Sequence, residues 1–440
     1  MRAKETLTLT LPDEVIAKID KYKETNPSLT IDRDFLYYIV DYLYYLESIN
    51  RKKKKEFVQL KTPHLKGLIK SNLNYYLKEM KSNEIIACDD KAVAGEKSFH
   101  YKSIELTNDS TSEVTINKEG KLYKAITRAS YLKNKNDNRL APHLKQMKRK
   151  FMGVVYDSKK AITFANKNYS GNQLCSLLSS INKMKSPKTR FFNRCKTNKR
   201  LDTNITNLKS ELRQFIVGDY VNIDLKNSQP YLLSCVVNRL INLSEFNYDT
   251  TFTLCSIKEN EKAIKSLMRE RIQAFELIPQ LLSRGLNEEI ITFTKKCTEG
   301  VLYEHFLELD AFKNLTRDEV KEIMMEVLFS QNYYKKNGKK KVPYKDNKNK
   351  FKSKYPGIFE IVECLKAKKH QRLAVALQLE ESYIFIDVVA KKLCEADIIP
   401  ITIHDSTVVE KEHQEMALEV IYKAFDERYG STPIFHVNPL

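Results

Sequence analysis

At 440 residues the chain is long enough for two or three domains, and a single core is not expected. Its net charge of +19 is spread along the chain rather than held in one tail, which favours a polyanionic partner, nucleic acid ahead of an anionic membrane. No stretch approaches the roughly 20 apolar residues of a membrane span, and the polar N-terminus has no signal-peptide core, so no membrane association and a cytoplasmic location are expected.

Eight cysteines stand singly with no C-x-x-C pair, the usage of reduced thiols rather than of disulfides or a zinc knuckle. Eleven glycines and twelve prolines predict long elements and little linker.

Glu5 to Leu11 alternates Thr and Leu and stops at Pro12, and Asp13-Glu14 then open a helix bearing Val15, Ile16 and Ile19. The plain reading is a strand docked on its own domain; a ribbon-helix-helix arm shares this order. Phe35 to Ile49 predicts a tyrosine-rich helix, and Arg51 to Lys55 is a basic run suited to a solvated face or to phosphate contact. Leu65, Leu68, Ile69, Leu73, Tyr76, Leu77 and Met80 keep helical spacing. Ile85-Ile86 and Tyr101 to Ile104 read as short strands around Gly95-Glu96-Lys97-Ser98. Helix, turn, helix and two strands resemble a winged helix, a module used both for duplex DNA and for protein interaction. Thr107 to Gly120 is polar and reads as a boundary. Lys121 to Thr197 is basic and mostly helical, over Leu140 to Phe151 and Asn172 to Met184.

Val221 to Tyr231 reads V-N-I-D-L-K-N-S-Q-P-Y. The apolar residues alternate with Asn222 and Asp224, which predicts a strand, and Pro230 forbids its continuation, so Asp224 is carried to a strand end. Such an Asp could bind a cation or simply cap the following helix. Leu315 to Tyr334 predicts a helix with Thr316 as N-cap and Asp318 and Glu319 in its first turn. Arg317, Lys321, Met325 and Phe329 are each four residues apart and share one face. Taken alone, solvated cations and an apolar pair packed inward explain that face. Lys335 to Lys341, with Asn337 and Gly338, reads as a solvated loop, and Glu380, Glu381 and Glu410 read as spare carboxylates. In Ile398 to Val409, His404-Asp405 interrupts two apolar arms like a hairpin turn.

Three of these stretches together carry a resemblance. Asp224, then Arg317-x-x-x-Lys321-x-x-x-Met325-x-x-x-Phe329-Ser330, then His404-Asp405-Ser406 stand in the order of motifs A, B and C of the family A polymerases. That group includes bacterial repair DNA polymerases and the single-subunit phage and mitochondrial RNA polymerases. Arg200-Leu201 with Asn207-Leu208 resembles the family's R-L…N-L stretch that contacts the primer–template. Gln378 stands where the family often has a Gln on the template. The resemblance covers about Arg200 to Leu440. Two departures affect sugar choice. The family's Tyr-Gly after motif B is Phe329-Ser330, and Gln229 stands where the DNA polymerases have a Glu that blocks the 2′-hydroxyl. Gln229 is as large as Glu and leans to deoxynucleotides; Met325 and H-D-S lean to the RNA side.

The resemblance implies an α+β right-hand polymerase: a palm with an antiparallel sheet, helical fingers and a helical thumb. The regions expected are 1–50 (strand and helix), 51–115 (winged-helix-like), 116–215 (thumb-like) and 216–440, the last split into palm 216–238 and 373–440 with fingers 239–372. It implies two Mg²⁺, replaceable by Mn²⁺, about 3.5–4 Å apart on Asp224 and Asp405, with the Leu225 carbonyl as a further ligand. Arg317 and Lys321 would neutralise a nucleoside triphosphate, and Lys321 would protonate the leaving pyrophosphate. Met325 and Phe329 would stack on a base, Gln229 would face the sugar, and His404 would meet the primer terminus. The expected partners are a DNA primer–template or template strand and nucleoside triphosphates. A compact DNA polymerase of a phage or mobile element, without proofreading because no acidic exonuclease cluster is present, is the first expectation. An RNA polymerase or primase is the second, and a catalytically degenerate DNA-binding protein the third.

Overall fold

The computed structural model describes residues 7–27, 31–50, 57–60, 63–69, 72–90, 99–135, 140–245, 277–367 and 369–440. The basic run Arg51 to Lys55, the Gly95 to Ser98 stretch and Cys255 lie outside them. The protein is a helix-rich α+β chain with small sheets. Two units divide it: residues 1–192 with 202–218, and residues 193–201 with 219–440. Among the described residues the cysteines are free thiols, and no helix is long and apolar enough to cross a membrane.

The first unit begins with β1 (Leu7–Pro12), whose Leu7, Leu9 and Leu11 are buried. Pro12 ends it, and the helix Asp13–Thr25 buries Val15, Ile19 and Tyr22 at helical spacing. Helices Pro63–Ile69 and Leu73–Ser82 precede a short antiparallel pair, β2 (Ile86–Cys88) and β3 (Tyr101–Ser103), in the expected order. The polar stretch 107–120 is not a break in the fold. It carries β4 (Thr111–Ile116), antiparallel to β1 from Leu7↔Ile116 to Pro12↔Thr111. Only Val114 and Ile116 face the core, too short an apolar alternation to mark a strand within a polar stretch.

Helices Arg33–Asn50 and Gly171–Lys185 pack on β1 and on each other through Leu36, Ile39, Leu43, Leu174 and Ile181. A buried amide pins this layer. Asn182 Oδ1 accepts from the Thr10 amide at 2.8 Å, and Asn182 Nδ2 donates to the Thr10 carbonyl at 3.1 Å and to Asp41 at 2.8 Å. Asn182→Ala orphans these groups away from water and is expected to lower stability by about 2–3 kcal/mol. Hydrogen exchange is the check: the Thr10 amide should lose protection in the variant, and unchanged protection would refute the assignment. The buried Arg190 guanidinium donates to the carbonyls of Met184, Phe151, Met152 and Val154, joining the C-terminal ends of two helices, where a cation belongs.

A hairpin of β5 (Phe192–Arg194) and β6 (Leu201–Thr203) follows, and its outer part, 193–201, belongs to the second unit. That unit continues with β7 (Tyr220–Leu225) and the helices Ser228–Glu245, Asn287–Thr298 and Arg317–Phe329. The stretch expected to be a solvated loop is instead a regular exposed hairpin, β8 (Tyr334–Lys336) and β9 (Lys339–Lys341). Asn337 and Gly338 both have positive φ, the two-residue turn that Asn-Gly favours. Lys366 and Lys348 reach the carbonyls of Val327, Ser330 and Gln331 and satisfy the C-terminal end of the Arg317–Phe329 helix. The chain ends with β10 (Ile401–Ile403), β11 (Ser406–Glu410), the helix Gln414–Tyr429 and β12 (Phe435–Pro439). Four strands form one antiparallel sheet in the order β10-β11-β7-β12.

Candidate active site

The sheet of the second unit brings one motif aspartate to the end of a strand and the other to the turn entering the neighbouring strand. Val221, Ile223 and Leu225 of β7 are buried, which leaves Asn222 and Asp224 half-buried on the other face. β11 lies antiparallel to β7 with Ser406 opposite Asp224, and the Leu225 amide donates to the Asp405 carbonyl at 3.2 Å. Asp405 thus sits one residue from Asp224's cross-strand partner, although 181 positions separate the two in sequence. His404 and Asp405 form the two-residue turn between β10 and β11. His404 is exposed, with a φ of 55°, a left-handed conformation that few residues other than glycine adopt. On the other side of β7, His436 of β12 stands opposite Asp224.

After Leu225 the chain turns through Asn227, also left-handed at φ 52°, and starts a helix at Ser228. Pro230 falls in its first turn, where its missing N–H costs nothing. This turn presents Ser228, whose hydroxyl donates to Glu381 Oε2 at 3.5 Å. Burial pushes the Asp405 carboxyl up from its ordinary range, while its own backbone, Arg200, Ser228 and Lys321 pull the other way.

A third carboxylate, Glu381, lies in the same neighbourhood. It is 1% exposed and accepts from Arg200 Nη2 at 2.7 Å and from Gln229 Nε2. Burial, with the Asp405 charge adding to it, raises Glu381 to about 7. Its Oε1 is buried without a hydrogen-bond partner. Glu380, next to it, is likewise buried and paired, with Arg428 and Tyr429. The expectation that both were spare surface carboxylates is therefore wrong. The signal was present: two adjacent charges inside the apolar run Leu373 to Val389 must either break the helix or find partners.

The helix carrying Glu381, Gln371–Ser382, runs on through a π-helical segment, Tyr383–Val389, into Ala390–Glu395. The outer part of the β5–β6 hairpin docks along it. Arg194 makes a bidentate pair with Asp387 at 3.1 and 2.7 Å, Asn198 Nδ2 donates to Gln378 Oε1 at 3.0 Å, and Ser382 Oγ donates to the Asn198 carbonyl at 2.8 Å. Arg200 and Gln378, read from sequence as nucleic-acid contacts, thus already hold partners within the protein.

The Arg317–Phe329 helix starts with a full capping box between Thr316 and Glu319. Val320, Ile323, Met324, Val327 and Leu328 form its buried stripe. Arg317 and Lys321 are exposed and Met325 and Phe329 half-buried beside that stripe, so the apolar pair is not core. Arg317 Nε donates to Glu304 at 2.8 Å, with its guanidinium 5.2 Å from the Tyr303 ring centre. The charge of Lys321 pulls Asp405 down, and that of Arg317 pulls Tyr303 down, against the burial that raises both groups. Burial, Lys226 and Arg317 together lower His436. Lys226 crosses Gly300, where an added Cβ would lie 2.8 Å from its Cδ and 3.0 Å from its Cβ, and the Gly300 φ of 68° favours glycine there. Of the nearby cations, Arg200 bonds Glu381 directly, and Arg200 and Lys321 both pull Asp405 down.

Among the described residues no three His, Cys, Asp or Glu side chains form a set that could hold an ion alone. Two aspartates, one at a strand end and one in the turn beside it, fit Mg²⁺ all the same. This cation keeps several waters and binds through one or two carboxylates plus substrate phosphates. Burial that disfavours the charged Asp405 would be offset by a divalent cation, and oxygen donors suit a hard one.

No family model matches the chain, and no curated protein does. Among solved structures, the POL domain of Pol1 from M. smegmatis, in complex with DNA primer-template and dNTP, aligns with 65% of this chain at 10% identity and a TM-score of 0.28. The match spans 56% of that structure's length, and at such a score the likeness is too loose to establish a shared fold.

Proposed function

We propose that the second unit is a template-directed nucleotidyltransferase of the right-hand polymerase kind, extending a 3′ end with nucleoside triphosphates. The observation that carries this reading is the convergence of Asp224, at the end of β7, with Asp405, in the turn that leads into the neighbouring strand β11, within the field of Lys321. In this reading the sheet with flanking residues 216–238 and 373–440 serves as palm, 239–372 as fingers and 116–215 as a thumb-like region. Residues 51–115 act as a winged-helix-like module.

Asp224 and Asp405, with the Leu225 carbonyl, would hold the divalent cations. When bound, these supply charge compensation at the attacking 3′-oxygen and the leaving pyrophosphate. Arg317 and Lys321, exposed one helical turn apart, bind the triphosphate, and Lys321 delivers a proton to the departing pyrophosphate. Met325 and Phe329, next along the same face and half-exposed, offer a flat apolar surface to a base. His404, at the exposed turn, meets the primer terminus. Arg200 and Gln378 would touch nucleic acid while sharing Glu381 and Asn198.

Gln229 bears on the sugar. Its amide donates to buried Glu381, so its bulk is held rather than free to swing away. A fixed side chain of that size supports deoxynucleotide use over the RNA polymerase or primase alternative. The test is extension of a primed template with dNTPs against rNTPs, for wild type and Gln229→Ala. Wild type is expected to prefer dNTPs, and removing one steric block is expected to raise relative rNTP use about tenfold or more. Strict rNTP use by wild type would assign the unit to the RNA side. A DNA-binding protein without catalysis would incorporate neither.

A further inference from the structure

The first unit has a cavity of about 270 Å³, lined by Tyr38, Tyr42, Tyr45 and His64 on one side and Lys183 and Lys188 on the other. Its volume is near the lower end of small-ligand pockets, roughly 300–1,000 Å³, enough for one nucleotide unit and far too small for a duplex. The Tyr42 and Tyr45 ring centres are 5.9 Å apart and those of Tyr42 and His64 are 5.0 Å apart; both tyrosines are part-buried and His64 is exposed. Tyr38 backs them, its hydroxyl 2.7 Å from His64 Nε2.

Charge decides what kind of ligand fits. A ring of tyrosines around an acid, here Asp41, could in another setting hold a quaternary ammonium. That place is taken: the Lys183 ammonium lies 3.5 Å from the Tyr45 centroid and 5.8 Å from that of Tyr42. Burial lowers Lys183 to about 8, which leaves it charged at neutral pH, and Asp41 opposes that shift. Lys183, Lys188 and Arg190 set three cations against the single Asp41 carboxylate. Arg190 is committed to backbone carbonyls, so its contribution is field rather than contact. Lys183 and Lys188 both line the cavity and are part-buried; Lys183 Nζ also donates to Ser179 Oγ at 3.0 Å and Lys188 Nζ to the Tyr123 hydroxyl. A second cation is repelled, and a bare phosphate would make no use of the rings.

We propose that this cavity binds a single nucleotide, its base stacked among Tyr42, Tyr45 and His64 and its phosphate on Lys183 and Lys188. The ligand is either a free nucleotide or the phosphorylated end of a single strand. The site is independent of the second unit and of the reaction proposed there.

The test uses the full chain with Lys321→Ala, which removes the triphosphate cation proposed for the second unit. Calorimetric titration with ATP is expected to show one remaining site. 8-Azido-ATP is expected to label peptides within 33–50 or 183–190. Adding Lys183→Gln or Lys188→Ala should weaken ATP binding about tenfold or more, with Lys183→Arg restoring it, and Tyr45→Leu should cost a similar factor through lost stacking. Lys188→Ala serves should Lys183→Gln fail to fold. Tighter binding of 5′-phosphorylated hexathymidylate than of ATP would identify a strand end; the reverse order, a free nucleotide. The inference is overturned if Lys321→Ala alone abolishes ATP binding. It is equally overturned if the cavity variants leave affinity unchanged, or if inorganic phosphate binds as tightly as ATP.

Discussion

Asp405→Asn is expected to cut nucleotide incorporation at least about a thousandfold while leaving the chain as stable as wild type or more so. The loss follows from removing a carboxylate that would face the cations, charge stabilisation of several kcal/mol at roughly tenfold per 1.4 kcal/mol. The stability side follows from burial. The folded chain raises the Asp405 carboxyl above its ordinary range. An acid shifted that way binds its proton more tightly when folded, so stability falls as pH rises from the unfolded value through the folded one. At pH 7 the ionised group is a liability that the neutral amide removes. A melting curve beside the incorporation assay separates the two effects. Mg²⁺ with a nucleotide should raise the melting temperature of wild type and not of the variant. A variant that both melts much lower and loses activity would point to a structural Asp405 instead.

Arg200→Met is expected to destabilise the second unit by about 3–5 kcal/mol at pH 8, the cost of removing one partner of a buried ion pair. Glu381 is 1% exposed, and Arg200 lies 2.7 Å from it. Without the guanidinium, only the neutral donors Gln229 and Ser228 would hold a buried carboxylate. The sign with pH is fixed. Glu381 is already raised to about 7. Its ionisation costs the folded state stability as pH climbs from the ordinary carboxylate range toward 7, a contribution on the order of 3 kcal/mol. Losing Arg200 raises Glu381 further, so the variant's deficit should shrink as pH falls to about 5.5, where the carboxyl is protonated and needs no cation. Denaturant midpoints at the two pH values measure this. A deficit independent of pH would show that Arg200 acts through packing alone.

The parts of the site that rest on local pattern were legible in the sequence. Period-2 alternation around Asp224, two apolar arms around His404-Asp405 and the four-residue spacing from Arg317 to Phe329 each correspond to the strand, hairpin and helix found. Other parts depend on partners distant in sequence. Glu381 reads as a surface charge until Arg200 and Gln229, 181 and 152 positions away, are seen to reach it. The β4 stretch reads as a boundary because only Val114 and Ile116 of its six residues turn to the core and the rest are polar. Asn337-Gly338 could have been read correctly, since that dipeptide between two short runs is a hairpin signal; seven residues dominated by lysine hid it.

Labelled-nucleotide incorporation on a primed DNA template in Mg²⁺, run with wild type, Asp224→Asn, Asp405→Asn and the double variant, tests the central claim most directly. Two carboxylates acting on one pair of cations predict extension by wild type and an equal, non-additive loss in all three variants. A single variant extending at the wild-type rate, or a wild type inactive in both Mg²⁺ and Mn²⁺, would contradict it.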